Sequence, residues 1–293
     1  LGTHTFNVDK TDINVGVEHE YLTADFDTQI NGYVSSVDKS RKNNGVFVNV
    51  DSMITNDLLF TVGTRYDSLS TFEDQQTYRI GSAYKGFRTS YSTAYKAPTV
   101  YEMYGQDNFG FLGNADLLPE NSKTYEIGYG NTNIDVALYR TEIDNLLIYQ
   151  GNTYENDSAT SVRKGADVTL RWHYEGLRVL NKTGYVIAQD SSGAELTRRP
   201  NWQNNMNVSW YDYKNIFISA DWNYYGEHKD IDSVTYLNKS VDGVNTFDLS
   251  AKYIKDKVTY YTKFNNIFDK QYERPDGYNQ NGRTITAGIK INF

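Results

Sequence analysis

Apolar and polar residues alternate with a period of two along nearly the whole chain of 293 residues, and the helical period of 3.6 hardly appears. One face of the last such stretch consists of Ile285, Ala287, Ile289, Ile291 and Phe293. Comparable runs begin at Ile13, Leu58 and Ile216. They reach about ten residues, which exceeds the usual five or six of a globular strand and is enough to cross a bilayer at a steep tilt. The pattern predicts long β-strands.

Two architectures produce this alternation. In a β-sandwich the apolar face forms the core, whereas in a membrane barrel the apolar face meets lipid and the polar face lines the interior. Tyr and Trp are frequent at strand ends, for example at Tyr84, Tyr95, Trp172, Trp210 and Tyr224. Amphipathic rings favour the headgroup region of a membrane, so this placement favours a barrel. A soluble sheet with aromatic residues at its hairpin ends remains the alternative.

Composition excludes several other classes. The mean hydropathy is −0.65, and no apolar run approaches the roughly 18 residues of a transmembrane helix. Aromatic residues make up 15 % of the chain, which argues against disorder. The absence of cysteine removes disulfide frameworks and thiol catalysis. The net charge of −8 and the lack of a Lys/Arg run argue against nucleic acid as a partner.

The lengths of the connections distinguish the two architectures. We predict about fifteen strands, over residues 3–9, 12–25, 43–54, 58–69, 76–85, 87–97, 122–130, 134–149, 160–175, 177–190, 201–213, 216–229, 244–255, 257–268 and 284–293. Short turns (9–11, 55–57, 85–86, 131–133, 175–176, 212–215 and 255–257) alternate with long loops (26–42, 70–75, 98–121, 150–159, 191–200, 230–243 and 269–283). This alternation is typical of an outer-membrane barrel with periplasmic turns and extracellular loops. The sequence therefore predicts an all-β fold, a transmembrane antiparallel β-barrel.

Strand parity predicts that residues 1–293 are one portion of a larger barrel. A short turn follows the first strand, so both the first and the last strand run towards the periplasm, which gives an odd count. Bacterial single-chain barrels have an even count with both termini in the periplasm. The start, Leu1-Gly2-Thr3-His4-Thr5, also lacks the features of a signal peptide. We expect this chain to be the C-terminal part.

No residue pattern points to catalysis, and no enzyme activity or cofactor is expected. The four histidines (His4, His19, His173 and His228) are scattered, without metal-ligand spacing. Acid pairs in the loops, Asp25/Asp27, Glu73/Asp74 and Asp230/Asp232, offer oxygen ligands for Ca²⁺, although solvated loop acids are the commoner explanation. Arg198 and Arg199 precede Pro200 at a loop end. They are either an ordinary basic strand cap or a donor pair for a ligand's oxygens.

Several segments, in order, resemble the TonB-dependent outer-membrane receptors. They are Tyr95–Pro98 (YKAP), Gly113-Asn114, Leu118–Lys123 (LPENSK), Tyr125–Gly128 (YEIG), Tyr139–Leu147 (YRTEIDNLL), Lys164–Val168 (KGADV), Asn266–Tyr272 (NIFDKQY) and Gly282-Arg283. Within the family the chain is most similar to cobalamin (vitamin B12) receptors, through Arg198-Arg199 and the NIFDKQY segment. Siderophore and haem receptors share much of this pattern.

The resemblance implies a 22-strand barrel around a plug domain. The fifteen strands would be its last fifteen, without the plug or the segment that contacts TonB. It also implies binding of a scarce, bulky ligand at the outer loops, cobalamin or another chelate, followed by import that depends on the TonB complex. Arg198 and Arg199 would contact the ligand. Where cobalamin receptors offer a tyrosine, this chain has Ser233 with Tyr236 nearby, so Tyr236 is the third candidate. No metal residue carries over.

The last strand ends in Phe293 on its apolar face, as in other outer-membrane proteins. This resemblance implies that Phe293 is an assembly signal for the barrel-assembly machinery. Lipopolysaccharide would be a further partner in a Gram-negative outer membrane. A passive porin-like channel and a soluble or surface-anchored adhesion protein remain the alternatives to a receptor.

Overall fold

The computed structural model describes residues 1–30, 33–212, 214–235 and 237–292. Its elements, in chain order, are β1 (Gly2–Val8), β2 (Thr11–Ile30), β3 (Tyr33–Met53), β4 (Leu58–Leu69), β5 (Gln75–Tyr84), β6 (Phe87–Lys96), α1 (Val100–Tyr104), β7 (Glu120–Gly130), β8 (Ile134–Asp144), β9 (Leu147–Gln150), β10 (Thr153–Asn156), β11 (Ser161–Tyr174), β12 (Leu177–Gln189), β13 (Trp202–Asp212), β14 (Ile216–Tyr225), β15 (His228–Ile231), β16 (Asn238–Val241), β17 (Val244–Lys255), β18 (Val258–Asn265) and β19 (Thr284–Ile291). Within these described ranges, no helix has the length and apolar character required to span a membrane.

Fifteen strands form one sheet in the order β1-β2-β3-β4-β5-β6-β7-β8-β11-β12-β13-β14-β17-β18-β19. Strands that follow one another in the chain are neighbours in this sheet. Two short hairpins, β9–β10 and β15–β16, are inserted between sheet strands and form separate two-stranded sheets. Each of the fifteen predicted strands corresponds to one strand of this sheet. The strands predicted over 134–149 and 216–229 are too long, because β8 ends at Asp144 and β14 at Tyr225. The all-β prediction is confirmed.

Tight turns connect the strands at one end of the sheet, which we call the turn end. Between β5 and β6, Lys85 and Gly86 both have positive φ, 49° and 87°. Two consecutive residues of this kind are typical of a type I′ turn, whose twist matches that of the flanking strands. We call the opposite end, which carries the long connections, the loop end.

Three of the predicted long loops contain β-strands instead. The predicted loop over 26–42 is wrong, because β2 and β3 continue as a paired hairpin in which Phe26 lies opposite Val37. Its polar composition resembles that of a loop, but backbone pairing in a hairpin does not require an apolar face. The loops predicted at 150–159 and 230–243 contain the short hairpins β9–β10 and β15–β16.

The loop between β6 and β7 contains α1. Thr99 caps this helix by accepting a hydrogen bond from the Glu102 N–H, and the Glu102 carboxylate accepts one from the Thr99 N–H. This reciprocal capping box satisfies two amides at the first turn of a very short helix.

The apolar face of the sheet is exposed, contrary to the expectation for a sandwich. On β19, Ile285 and Ile289 are each 63 % exposed, and Val62 on β4 is 42 % exposed. Buried apolar side chains are few among the described residues: Val37, Leu69, Met103, Phe111, Leu117, Ala137, Ala188 and Val244. A soluble sheet of this size would bury its apolar face in a core, so lipid is the environment that this face fits.

The opposite face carries hydrogen-bonded polar side chains. Asn207 of β13 donates to Ser219 Oγ at 2.8 Å and to Asp221 Oδ1 at 2.7 Å, both on β14. On β4, Arg65 donates two hydrogen bonds to Asp67, from Nε at 2.7 Å and from Nη2 at 2.6 Å. The two faces of the sheet therefore differ as the sequence alternation predicts for a membrane barrel.

The chain forms two compact units. The first comprises Leu1–Ile127, Tyr139–Arg163 and Gln189–Ala194, and the second comprises Gly128–Leu138, Lys164–Ala188 and Glu195–Phe293. The second unit contains the candidate residues of the loop between β12 and β13.

Candidate functional site

Three long connections of the second unit meet at its loop end. They are the segment before β13, the β15–β16 hairpin and the segment between β18 and β19. Charged side chains from all three connections form a cluster: Arg198 from the first, Asp230, Asp232 and Lys239 from the second, and Asp276 from the third.

Arg198 joins the first connection to the hairpin. Its backbone N–H donates to the Lys229 carbonyl at 2.6 Å, and its side-chain Nε donates to Asp230 Oδ1 at 2.7 Å. Its φ of +61° lies in the left-handed region, where a residue with a Cβ costs about 1–3 kcal/mol. The Arg198 side chain is nevertheless 52 % exposed. The hairpin thus fixes the backbone N–H and the Nε of this arginine, while about half of the side chain faces solvent.

Asp230 is fully buried and accepts hydrogen bonds from three segments. The donors are Arg198 Nε, the Ile231 N–H at 2.8 Å and the Asp276 N–H at 3.0 Å. Burial alone would raise the pKa of Asp230, but these donors hold the pKa below its usual value. The carboxylate therefore stays ionised, and its charge is compensated inside the loop cluster.

Asp276 also joins the segment between β18 and β19 to the β15–β16 hairpin, here through its own carboxylate as the acceptor. Its carboxylate accepts from Lys239 Nζ at 2.7 Å and from the Ser233 N–H at 2.9 Å. The hydrogen bond from Lys239 lowers the pKa of Asp276. Gly277 follows with φ +81°, and an added Cβ there would lie 2.7 Å from Ser233 Oγ. Only glycine fits this close approach without strain.

Asp232 orders the tip of the hairpin. Its Oδ1 accepts from the backbone N–H groups of Thr235 and Val234, at 2.7 and 3.0 Å, and these bonds lower the pKa of Asp232 to about 2. Lys239 Nζ lies 3.5 Å from the other oxygen. The tip is thus a hydrogen-bonded turn.

An aromatic and cationic stack flanks the cluster. The Arg274 guanidinium lies 3.5 Å from the centroid of the Tyr225 ring, which meets the buried His228 edge-to-face at 5.1 Å. Sequence reasoning did not assign these three residues to a site, because a single aromatic or basic residue carries no local signal of its contacts with distant segments. The sequence Pro275-Asp276-Gly277 is typical of a turn, and it is the local feature that could have drawn attention to the segment between β18 and β19.

The predicted ligand residues have different outcomes. Arg198 lies in the cluster described above. Arg199 is exposed, and its Nη1 donates to the Thr197 carbonyl at 3.2 Å within the same loop. Tyr236 and Phe293 lie outside the described residues. The ligand roles of Arg198, Arg199 and Tyr236 and the assembly role of Phe293 remain predictions.

The acids considered for Ca²⁺ are either hydrogen-bonded to other groups or exposed. Asp230 is used as described above, and Asp74 accepts a hydrogen bond from the Tyr66 hydroxyl. Asp25 and Asp27 are exposed on β2. Across the ranges that the structure covers, no three His, Asp or Glu side chains are grouped as a metal site requires.

The first unit has an aromatic cluster in its own long connections. Tyr101 of α1 stacks on Phe111 with centroids 4.9 Å apart, and Phe111 contacts Tyr154 of β10 edge-to-face at 6.0 Å. Nearby, Asp157 accepts from Ser191 Oγ at 2.5 Å and from the Ser191 N–H at 3.0 Å. Burial would raise the pKa of Asp157, but the hydrogen bonds from Ser191 keep it lowered.

Solved receptor structures resemble this fold. A variant of the ferric enterobactin receptor PfeA from Pseudomonas aeruginosa, in complex with enterobactin, has a TM-score of 0.81 at 18 % identity, over 100 % of this chain and 53 % of that chain. The siderophore receptor PirA from Acinetobacter baumannii has a TM-score of 0.75 at 16 % identity, over 98 % and 56 %. FpvA from P. aeruginosa, bound to heterologous pyoverdines, has a TM-score of 0.74 at 16 % identity, over 99 % and 47 %. The chain therefore spans about half the length of these receptors. At identities below 20 %, the similarity shows a shared fold and nothing further.

Residues 2–289 match the family described as TonB dependent receptor-like, beta-barrel. This match covers nearly the whole chain and agrees with the fifteen-strand sheet, its exposed apolar face and its alternation of turns and long connections. The family consists of transport receptors of the Gram-negative outer membrane, so the predicted location is confirmed. The chain belongs to the TonB-dependent receptor β-barrel family.

Proposed function

We propose that the chain is the part of an outer-membrane active-transport receptor that binds a bulky metal chelate at its loop end, with Arg198 as a ligand contact. The observation that carries the proposal is the half-exposed Arg198 side chain, whose base is fixed by a buried carboxylate among three loop segments. Such an arrangement is typical of a binding group on a rigid support.

The chemistry of the contact favours a ligand rich in oxygen acceptors. A guanidinium is always charged, and its planar fork matches two adjacent oxygens such as those of a carboxylate, a phosphate or a deprotonated catechol. Arg199 follows directly in the chain and adds positive charge to the same loop. An apolar ligand would offer neither guanidinium group a hydrogen-bond acceptor.

Two ligand classes follow from different observations. The likeness in fold to receptors whose structures hold enterobactin and pyoverdines favours a ferric siderophore. The position of Arg198 supported cobalamin in the sequence analysis. The siderophore class is our first candidate because the similar structures are of that kind, and cobalamin is the second.

Import by this receptor would require the TonB complex and the proton-motive force. This step distinguishes an active receptor from a passive porin-like channel of similar fold. In cells, uptake of the bound chelate should stop when TonB is deleted, whereas passage through a channel would continue.

The test uses the full-length receptor that contains this chain, purified in detergent, with ferric enterobactin and cyanocobalamin as separate probes. We expect saturable binding of one probe, and we expect Arg198→Ala to weaken it at least about tenfold, the loss of one charged hydrogen bond. Arg178→Ala is the matched control, because Arg178 is an exposed arginine beside the turn that begins β12. Equal effects of the two variants would refute the role of Arg198, and binding of neither probe would refute both ligand classes.

A further inference from the structure

We propose that Asp230 is the positioning residue of this site: it fixes the Arg198 guanidinium at the loop end before a ligand arrives. The statement that a ligand binds the positioned guanidinium rests on the proposed function. The anchoring itself is a property of the ligand-free protein.

The first argument is the backbone of Arg198. A residue with a Cβ rarely adopts a φ of +61°, and such outliers persist only where the surroundings determine them. Two contacts on the hairpin do this here, the Lys229 carbonyl for the backbone N–H and the Asp230 carboxylate for Nε. A loop that needed only this turn would be better served by glycine or asparagine. The arginine is therefore present for its side chain.

The second argument is the asymmetry of the pair. Asp230 is fully buried, while the Arg198 side chain is 52 % exposed. A mutual surface ion pair would expose both partners and contribute little. Here the carboxylate holds one edge of the guanidinium, through Nε, and a large part of the side chain faces outwards. This is the geometry of a support and the group that it presents.

The third argument is the rigidity of the support. The Asp276 N–H donates to Asp230, and the Asp276 carboxylate accepts from Ser233 and Lys239 on the same hairpin. The hairpin and the last connection are thus joined in both directions by charge-assisted hydrogen bonds. Asp230 is the group shared by all three connections, so its loss should release the Arg198 segment and the Asp276 segment together.

The ligand-free test is hydrogen exchange of the full-length receptor, read at peptides covering residues 195–200 and 272–280. Asp230→Asn keeps the size of the side chain but removes its charge and one acceptor oxygen. We expect exchange in both peptides to accelerate about tenfold or more. Asp242→Asn, at an exposed aspartate beside β17, should leave both peptides unchanged. Unchanged exchange in Asp230→Asn would overturn the anchoring.

The ligand test is a double-mutant cycle with whichever of ferric enterobactin and cyanocobalamin binds. Asp230→Asn should weaken binding about as much as Arg198→Ala, and it should have no further effect in the Arg198→Ala background. Arg198→Gly keeps a residue suited to the positive φ but removes the Nε donor, so it should lose binding. The peptide covering residues 272–280, which the Asp276 N–H still joins to Asp230, should exchange more slowly in Arg198→Gly than in Asp230→Asn. An additional loss from Asp230→Asn in the Arg198→Ala background would mean that Asp230 acts independently of Arg198, which overturns the positioning role. If neither probe binds the wild type, the proposed function fails, and the exchange measurement alone decides the anchoring.

Discussion

Leu249 lies near the middle of β17 on the exposed apolar face, between Ala220 of β14 and Phe264 of β18. It is five positions from Val244 and six from Lys255, the two ends of the strand. At about 3.3 Å per residue and a tilt of about 40°, each end is roughly 13–15 Å away along the membrane normal, which places Leu249 near the midplane. An arginine there should destabilise the folded barrel by about 2–4 kcal/mol.

We predict that Leu249→Arg lowers the free energy of unfolding of the full-length receptor, measured in lipid vesicles, by about 2–4 kcal/mol. This corresponds to a change of roughly 25- to 700-fold in the folding equilibrium constant. Denaturant titration followed by tryptophan fluorescence measures it. Ser250→Arg is the matched control on the opposite face, where the neighbouring Lys263 adds a like-charge cost of at most about 1 kcal/mol. A larger loss for Ser250→Arg than for Leu249→Arg would refute the assignment of the lipid-facing side.

Three further predictions concern the loop end, a close approach in the sheet and assembly. Backbone hydrogen bonds hold the pKa of Asp232 at about 2, and Lys239 lowers the pKa of Asp276. The two ionised carboxylates should therefore stabilise the hairpin fully above pH about 4, and this stabilisation should be lost as the pH falls towards 2. Protection factors of the hairpin amides that fall between pH 7 and 5 would contradict this. An added Cβ at Gly288 would clash with the Tyr261 hydroxyl, so Gly288→Val should cost about 1–3 kcal/mol in a denaturant titration, and Tyr261→Ala should suppress that cost. Deletion of Phe293 from the full-length protein should lower the amount inserted in the outer membrane but leave the melting temperature of the purified barrel nearly unchanged; normal surface levels would defeat this.

The strands and their faces could be predicted from the sequence because both depend on a local signal. A period of two assigns every residue to a face, and turn residues such as Lys85-Gly86 mark the ends. The extension of β2 and β3 could not be predicted in this way. Polar residues such as Asp25 and Asp27 lie on a strand there, because the two strands continue to pair without an apolar face to bury.

The candidate site was predictable only in part. The position of Arg198 before Pro200 was enough to select it, but Asp230 was read as a solvated acid or a Ca²⁺ ligand. The structure shows a buried carboxylate instead, because its donors come from residues 32 and 46 positions away in the chain. Whether a loop acid is solvated or buried depends on such distant donors, and the local sequence does not encode them.

The most direct test of a chelate-binding loop end is hydrogen exchange of the full-length wild-type receptor with and without saturating ferric enterobactin or cyanocobalamin. The binding ligand should slow exchange in peptides covering residues 195–200, 228–241 and 272–280, and it should leave the turn-end peptides around residues 85–86 and 255–257 unchanged. Saturable binding without any change in residues 195–200 would contradict the account, because the ligand would then be bound elsewhere.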